Sequence, residues 1–131
     1  MTATPESIAL ARTAAFAAAD RLGTDIVALD VSEQLVLTDA FVIVSAPSER
    51  QVRAIVDRVE EELHTRHGIK RIRREGQASG RWVLLDFADL IVHVFAEEDR
   101  EFYALERLWK DCPVIDVSAA VAEAGAPDAE A

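Results

Sequence analysis

The segment Ala40–Ser45 (AFVIVS) constrains this chain more than any other. It is apolar almost without a break, so a strand made of it carries hydrophobic side chains on both faces. Such a strand belongs inside a sheet that is covered on both sides. A helix start follows at once. In Ser48-Glu49-Arg50-Gln51 the Ser48 hydroxyl can accept from the backbone N–H of Gln51, while the Gln51 side chain reaches back, a capping box. The helix it opens has Val52, Ile55, Val56, Val59 and Leu63 on one stripe, and Gly68 is its stop signal.

The flanking segments extend the pattern. Thr4 is an N-cap and Pro5 a first helical residue. The Ala-rich run behind them presents Ile8, Ala11, Ala15, Ala18 and Leu22 as a lean stripe, with Gly23 as its stop. Asp25–Val31 (DIVALDV) alternates and is rich in β-branched residues, so it reads as a strand. Ser32–Asp39 is a connection. Ile69–Glu75 reads as a short strand with a basic outer side, and Gly76–Gly80 as a polar loop. A hairpin and a helix over Arg100–Trp109 follow, and Cys112-Pro113 ends that helix. Val114–Val117 adds an extended piece. From Ser118 onward the residues are mostly Ala, Glu, Gly, Pro and Asp, read as a frayed helix passing into a disordered acidic tail. The order predicts one α/β domain over residues 1–117, a single mixed β-sheet flanked by helices, with 118–131 as the tail.

Charge and composition narrow the function. With 131 residues, half of them hydrophobic, the chain can bury a substantial core unaided. A formal net charge of −10 argues against general nucleic-acid binding, though not against a basic partner. One cysteine, Cys112, forbids an internal disulfide and fits a reducing, cytoplasmic setting. No secretory signal and no membrane-length apolar run is visible.

The hairpin Trp82–Phe95 carries most of the functional signal. If Ala88-Asp89 is a two-residue turn, Trp82 faces Phe95, Leu84 faces His93 and Asp86 faces Ile91. The opposite face, Val83, Leu85, Phe87, Leu90, Val92 and Val94, is wholly apolar. Asp86 and His93 become diagonal neighbours. In the following helix Phe102, Leu105, Leu108 and Trp109 share a stripe that Tyr103 leaves. A large amphipathic ring off the core stripe suits a protein interface.

These phrases together resemble the ribosomal silencing factors, the RsfS/Iojap family. DIVALDV, TDAFVIVSAPSERQV (Thr38–Val52), Glu75-Gly76, RWVLLDFADLIVHVF (Arg81–Phe95) and REFYALERLW (Arg100–Trp109) carry the resemblance, in order, from about Asp25 to Trp109. Ala46-Pro47 departs from the Gly-containing turn common in that family. The resemblance implies a non-enzymatic translation regulator with a nucleotidyltransferase-like α/β core and no cofactor. It implies binding to ribosomal protein L14 (uL14) of the large subunit, steric obstruction of small-subunit joining, repression of translation when nutrients are scarce, and a homodimer when free. Its binding surface maps onto Trp82, Asp86, Phe87 and Tyr103, with His93, Arg100 and Glu75 beside them. Phe87 fits only if the hairpin tip projects beyond the sheet, since its register points to the core.

Each feature also has a plainer reading. Trp82 can serve a core as well as an interface. Asp86 and His93 are a structural hydrogen bond before they are a catalytic dyad. His64 and His67 supply two metal ligands where a structural zinc needs four. Lys70, Arg71, Arg73 and Arg74, with Arg66 nearby, are either a charged strand edge or a contact for ribosomal RNA phosphate. The Ser45–Ser48 turn suggests the alternative of a nucleotidyltransferase-like nucleotide-binding protein. It lacks the Gly-Ser turn and the paired carboxylates that two-metal chemistry needs.

Overall fold

The computed structural model describes residues 2–76, 81–103, 107 and 109–125, with the side chains of 101–103 outside that description. Helix α1 spans Pro5–Asp20, and the Thr4 hydroxyl caps it by accepting from Ser7 N–H at 3.1 Å. Its end is a Schellman turn: Gly23 N–H donates to Ala18 C=O (2.9 Å) and Leu22 N–H to Ala19 C=O (3.0 Å). The left-handed residue there is Leu22, at φ 63°. Gly23 is therefore not the αL stop its sequence position suggested. It is needed for space, because a Cβ there would lie 2.6 Å from Val44 Cγ2.

Strands β1 (Thr24–Asp30) and β2 (Ala40–Ala46) follow, then α2 (Glu49–His67), which ends on Gly68 at φ 69°. Ser48 caps α2, accepting from Gln51 N–H at 3.2 Å. The other half of the expected capping box is absent: the Gln51 side-chain amide donates to the Arg21 carbonyl and ties the start of α2 to the end of α1. Next come β3 (Arg73–Glu75, shorter than expected), β4 (Trp82–Asp86), β5 (Leu90–Ala96), α3 (Glu97–Tyr103), β6 (Val114–Ile115) and α4 (Ser118–Gly125).

The strands form one sheet in the order β3-β4-β5-β2-β1-β6. β2 and β5 pair in parallel, and the other neighbours are antiparallel. The sheet is therefore mixed, as the order of elements predicted. Every residue of β2 is buried, which accounts for its unbroken apolar sequence.

The two sheet faces differ in their cover. Ala28, Val42, Val44, Val83, Leu85, Val92 and Val94 point into a core shared with Ala11, Ala14, Ala15 and Ala18 of α1 and Val52, Ile55, Val56 and Val59 of α2. The alanines let α1 lie close to the sheet, and each buried Val or Ile side chain contributes about 1.5–3 kcal/mol. The other face carries Leu29, Val31, Phe41, Ile43 and Phe95, with Trp109 and Cys112 laid over part of it. Residues after Val117 are not a frayed end as far as Gly125: Asp116 caps Ser118 N–H at 2.9 Å, and α4 packs beside α1 with Val121 against the helix-side core.

Candidate docking face

The hairpin has the expected register: Trp82 opposes Phe95, Leu84 opposes His93 and Asp86 opposes Ile91. Its turn is closed by Phe87 N–H donating to Leu90 C=O at 2.9 Å, with Ala88 at φ 72°. Asp86 supports that turn by accepting from Ala88 N–H at 2.8 Å. The tip does not project. Asp39 and Ala40 N–H both donate to the Asp89 carbonyl, at 3.0 and 3.1 Å, and fasten the tip to the start of β2.

Several expected contact residues therefore sit elsewhere than on a surface. Phe87 is 6% exposed and belongs to the core on the helix side, because its register faces α1 and α2 and the fastened turn cannot lift it out. Arg100 is 8% exposed and donates to Ser45 Oγ at 2.9 Å. Helix α3 starts directly at the end of β5, so one turn later Arg100 lies back over β2. His93 is 5% exposed. The side chain of Tyr103 lies outside the described residues.

His93 and Asp86 do not meet in the bond expected of them. Instead Trp82 Nε1–H donates to His93 Nδ1 at 3.3 Å. Since Nδ1 accepts, the neutral ring carries its proton on Nε2. That buried Nε2 has no hydrogen-bond partner among the described residues. Phe41 meets the imidazole edge-on at 4.9 Å, and Trp82 stacks on Phe95 at 5.0 Å. Burial among these rings pushes the His93 pKa down to about 4.

What remains accessible is the outer part of the face that α1 and α2 do not cover. Trp82, Leu84, Asp86 and Ile91 are half-buried. Trp82 and Leu84 line a hollow of about 250 Å³ with Glu75 and Gly76, while Asp86 and Ile91 border a separate groove of about 660 Å³ with Leu35–Thr38, Ile72, Arg73 and Ala88. Three of its residues are largely in solvent: Val36 at 99%, Leu37 at 84% and Ile72 at 69% exposure. Such grouped apolar side chains mark contact surfaces more often than accident. None was singled out from sequence as a contact. The available signal was Leu35-Val36-Leu37, an apolar run inside a connection.

The basic residues do not form one patch. Lys70 and Arg71 line a hollow of about 490 Å³ with Glu60, Glu61 and His64, and Arg71 is ion-paired with Glu60. Arg73 faces Asp86 and Glu75, each at 3.7 Å, and Glu75 itself is exposed at the sheet edge. Arg74 is paired in register with Leu85 and so lies on the helix side. Alternation along β3 separates neighbours in sequence onto opposite faces. Among the described residues no group of three or more His, Cys, Asp or Glu side chains is placed to hold a metal ion, and no helix is long and apolar enough to cross a membrane.

Fold and face together define a small single-sheet α/β domain, sealed by helices on one side and offering a partly open aromatic and aliphatic surface on the other. The sequence profile described as "Ribosomal silencing factor during starvation" matches residues 4–131, and the chain belongs to that family. It is 38% identical to the ribosomal silencing factor RsfS of Bacillus subtilis over 104 residues, 79% of this chain and 87% of that one. It is 31% identical to the chloroplastic protein Iojap of Arabidopsis thaliana over 112 residues, 86% of this chain and 46% of that one. A crystal structure of a Chromobacterium violaceum protein superposes with a TM-score of 0.73 at 34% identity, covering 78% of this chain and 84% of that one. A Bacillus halodurans structure gives 0.69 at 34% identity, covering 86% and 99%.

Proposed function

We propose that this chain docks through its open sheet face on ribosomal protein L14 (uL14) of the large ribosomal subunit, obstructs joining of the small subunit there, and so lowers translation in the cytoplasm. The observation that carries the reading is the exposed apolar groove beside Asp86 and Ile91, on the face that α1 and α2 do not cover. Family membership supports the ribosomal setting. Obstruction by volume requires affinity and placement, and no bond making; an interface of about 800 Å² per partner is enough. The net charge of −10 favours fast encounter with a basic partner.

Trp82, Asp86 and Glu75 stay as proposed contacts, and Leu84, Ile91, Val36, Leu37 and Ile72 join them. Tyr103 stays on the strength of the family resemblance. Lys70, Arg71 and Arg73, all exposed, stay as proposed contacts for neighbouring ribosomal RNA. Sedimentation of purified subunits tests the function: excess protein should reduce the joined ribosome peak and travel with the large subunit. Trp82→Ala should weaken capture by immobilised uL14 by about 1–3 kcal/mol. An unchanged joined peak at saturating protein, or undiminished capture of the variant, would remove this reading of the face.

A further inference from the structure

We propose that His93 is a positioning residue: its Nδ1 holds the half-exposed Trp82 indole in the orientation that the docking partner meets. This rests on the docking reading of the open face. Two contacts among the described residues orient the indole. Stacking on Phe95, 5.0 Å between ring centres with 22° between planes, sets the plane of the ring. The bond from Nε1–H to His93 Nδ1, 3.3 Å, sets its rotation within that plane. A ring already fixed loses less freedom when a partner closes over it.

The identity of residue 93 makes little sense on packing grounds. Its cross-strand neighbours are Leu84 and Ile43, and its ring neighbours are Phe41, Phe95 and Trp82. A phenyl ring would suit that environment at least as well. An imidazole there leaves Nε2–H buried with no partner among the described residues, a standing penalty against the fold. What it supplies in return is an acceptor for Trp82. Burial keeps the ring neutral near pH 7, so the acceptor is always present. His93 therefore acts on the partner through Trp82 and does not touch it.

Three variants test the assignment. His93→Phe keeps an aromatic ring and removes the acceptor. His93→Asn places a carbonyl oxygen close to where Nδ1 stands. Trp82→Phe removes the donor. Affinity is measured with purified large subunits, and the Trp82 indole N–H signal is followed by NMR, told from that of Trp109 by a Trp109→Phe sample. His93→Phe should remain folded, shift the indole signal, and bind about three- to ten-fold more weakly. His93→Asn should recover most of that loss. In the Trp82→Phe background, His93→Phe should cost nothing more. Equal binding by His93→Phe, or the same fold loss in the Trp82→Phe background, would overturn the assignment. An unchanged indole signal in His93→Phe would do so whatever the binding data, whereas a wild-type protein that ignores large subunits would overturn the docking reading beneath it.

Discussion

The buried imidazole also makes stability depend on pH in a calculable way. In the fold His93 has a pKa of about 4, pushed down by burial. In the unfolded chain it returns to about 6.5. Between these values the unfolded chain binds a proton that the folded one refuses, so stability rises with pH across the window and falls as pH drops through it. The difference corresponds to about 3 kcal/mol in total, of which about 2 kcal/mol is lost between pH 7 and pH 5. Below pH 4 both states are protonated and the contribution is flat. Every other titratable group is common to wild type and His93→Phe, so it cancels in the difference between them. Urea denaturation of both proteins at half-unit steps from pH 7.5 to 4.5 isolates the term. The difference in unfolding free energy should shift by about 2 kcal/mol between pH 7 and 5, in favour of the phenylalanine variant at the acid end. Parallel stability profiles would mean that the imidazole is solvated and not buried among the rings.

Three further outcomes follow from backbone and surface geometry. Leu22→Gly should stabilise the protein by about 1 kcal/mol in thermal or urea melts, because a side chain now occupies the left-handed position of the α1 Schellman turn. Gly76→Ala should destabilise by at least about 2 kcal/mol in the same assay: Gly76 has φ 82°, and a Cβ would fall 1.9 Å from the Trp82 carbonyl oxygen. Val36→Asp should leave the melting curve within about 0.5 kcal/mol of wild type, since the side chain is in solvent, while weakening large-subunit binding about ten-fold.

The sequence exposed the architecture wherever one physical signal dominated. Unbroken hydrophobicity at Ala40–Ser45 marked the central strand, alternation fixed the hairpin register, and Thr4 and Ser48 marked both helix starts. What it hid were choices made by tertiary neighbours. Gln51 could have reached back to accept from the Ser48 N–H, but its amide donates instead to the Arg21 carbonyl, from an element distant in sequence. His93 had Asp86 and Trp82 as candidate partners, and the structure joins it to Trp82 because the indole lies flat on Phe95. The candidate site was half legible. Trp82, Asp86 and Glu75 reach the outside, while Phe87 lies inside as its register indicated, and Arg100 is interior because polarity does not reveal which way a short helix points. The groove stayed hidden because Val36, Leu37 and Ile72 come from separate segments, and only folding puts them side by side.

The parallel pairing of β2 with β5 has a consequence for how the protein is born. β2 leaves the synthesising ribosome before α2, β3 and β4, and its permanent neighbour β5 emerges only after them. Until then a strand oily on both sides has one edge without a mate, a state that invites pairing with other chains. Nascent or truncated forms ending before Leu90 should therefore need chaperone shelter, and the emergence of β5 becomes the moment at which the fold is secured.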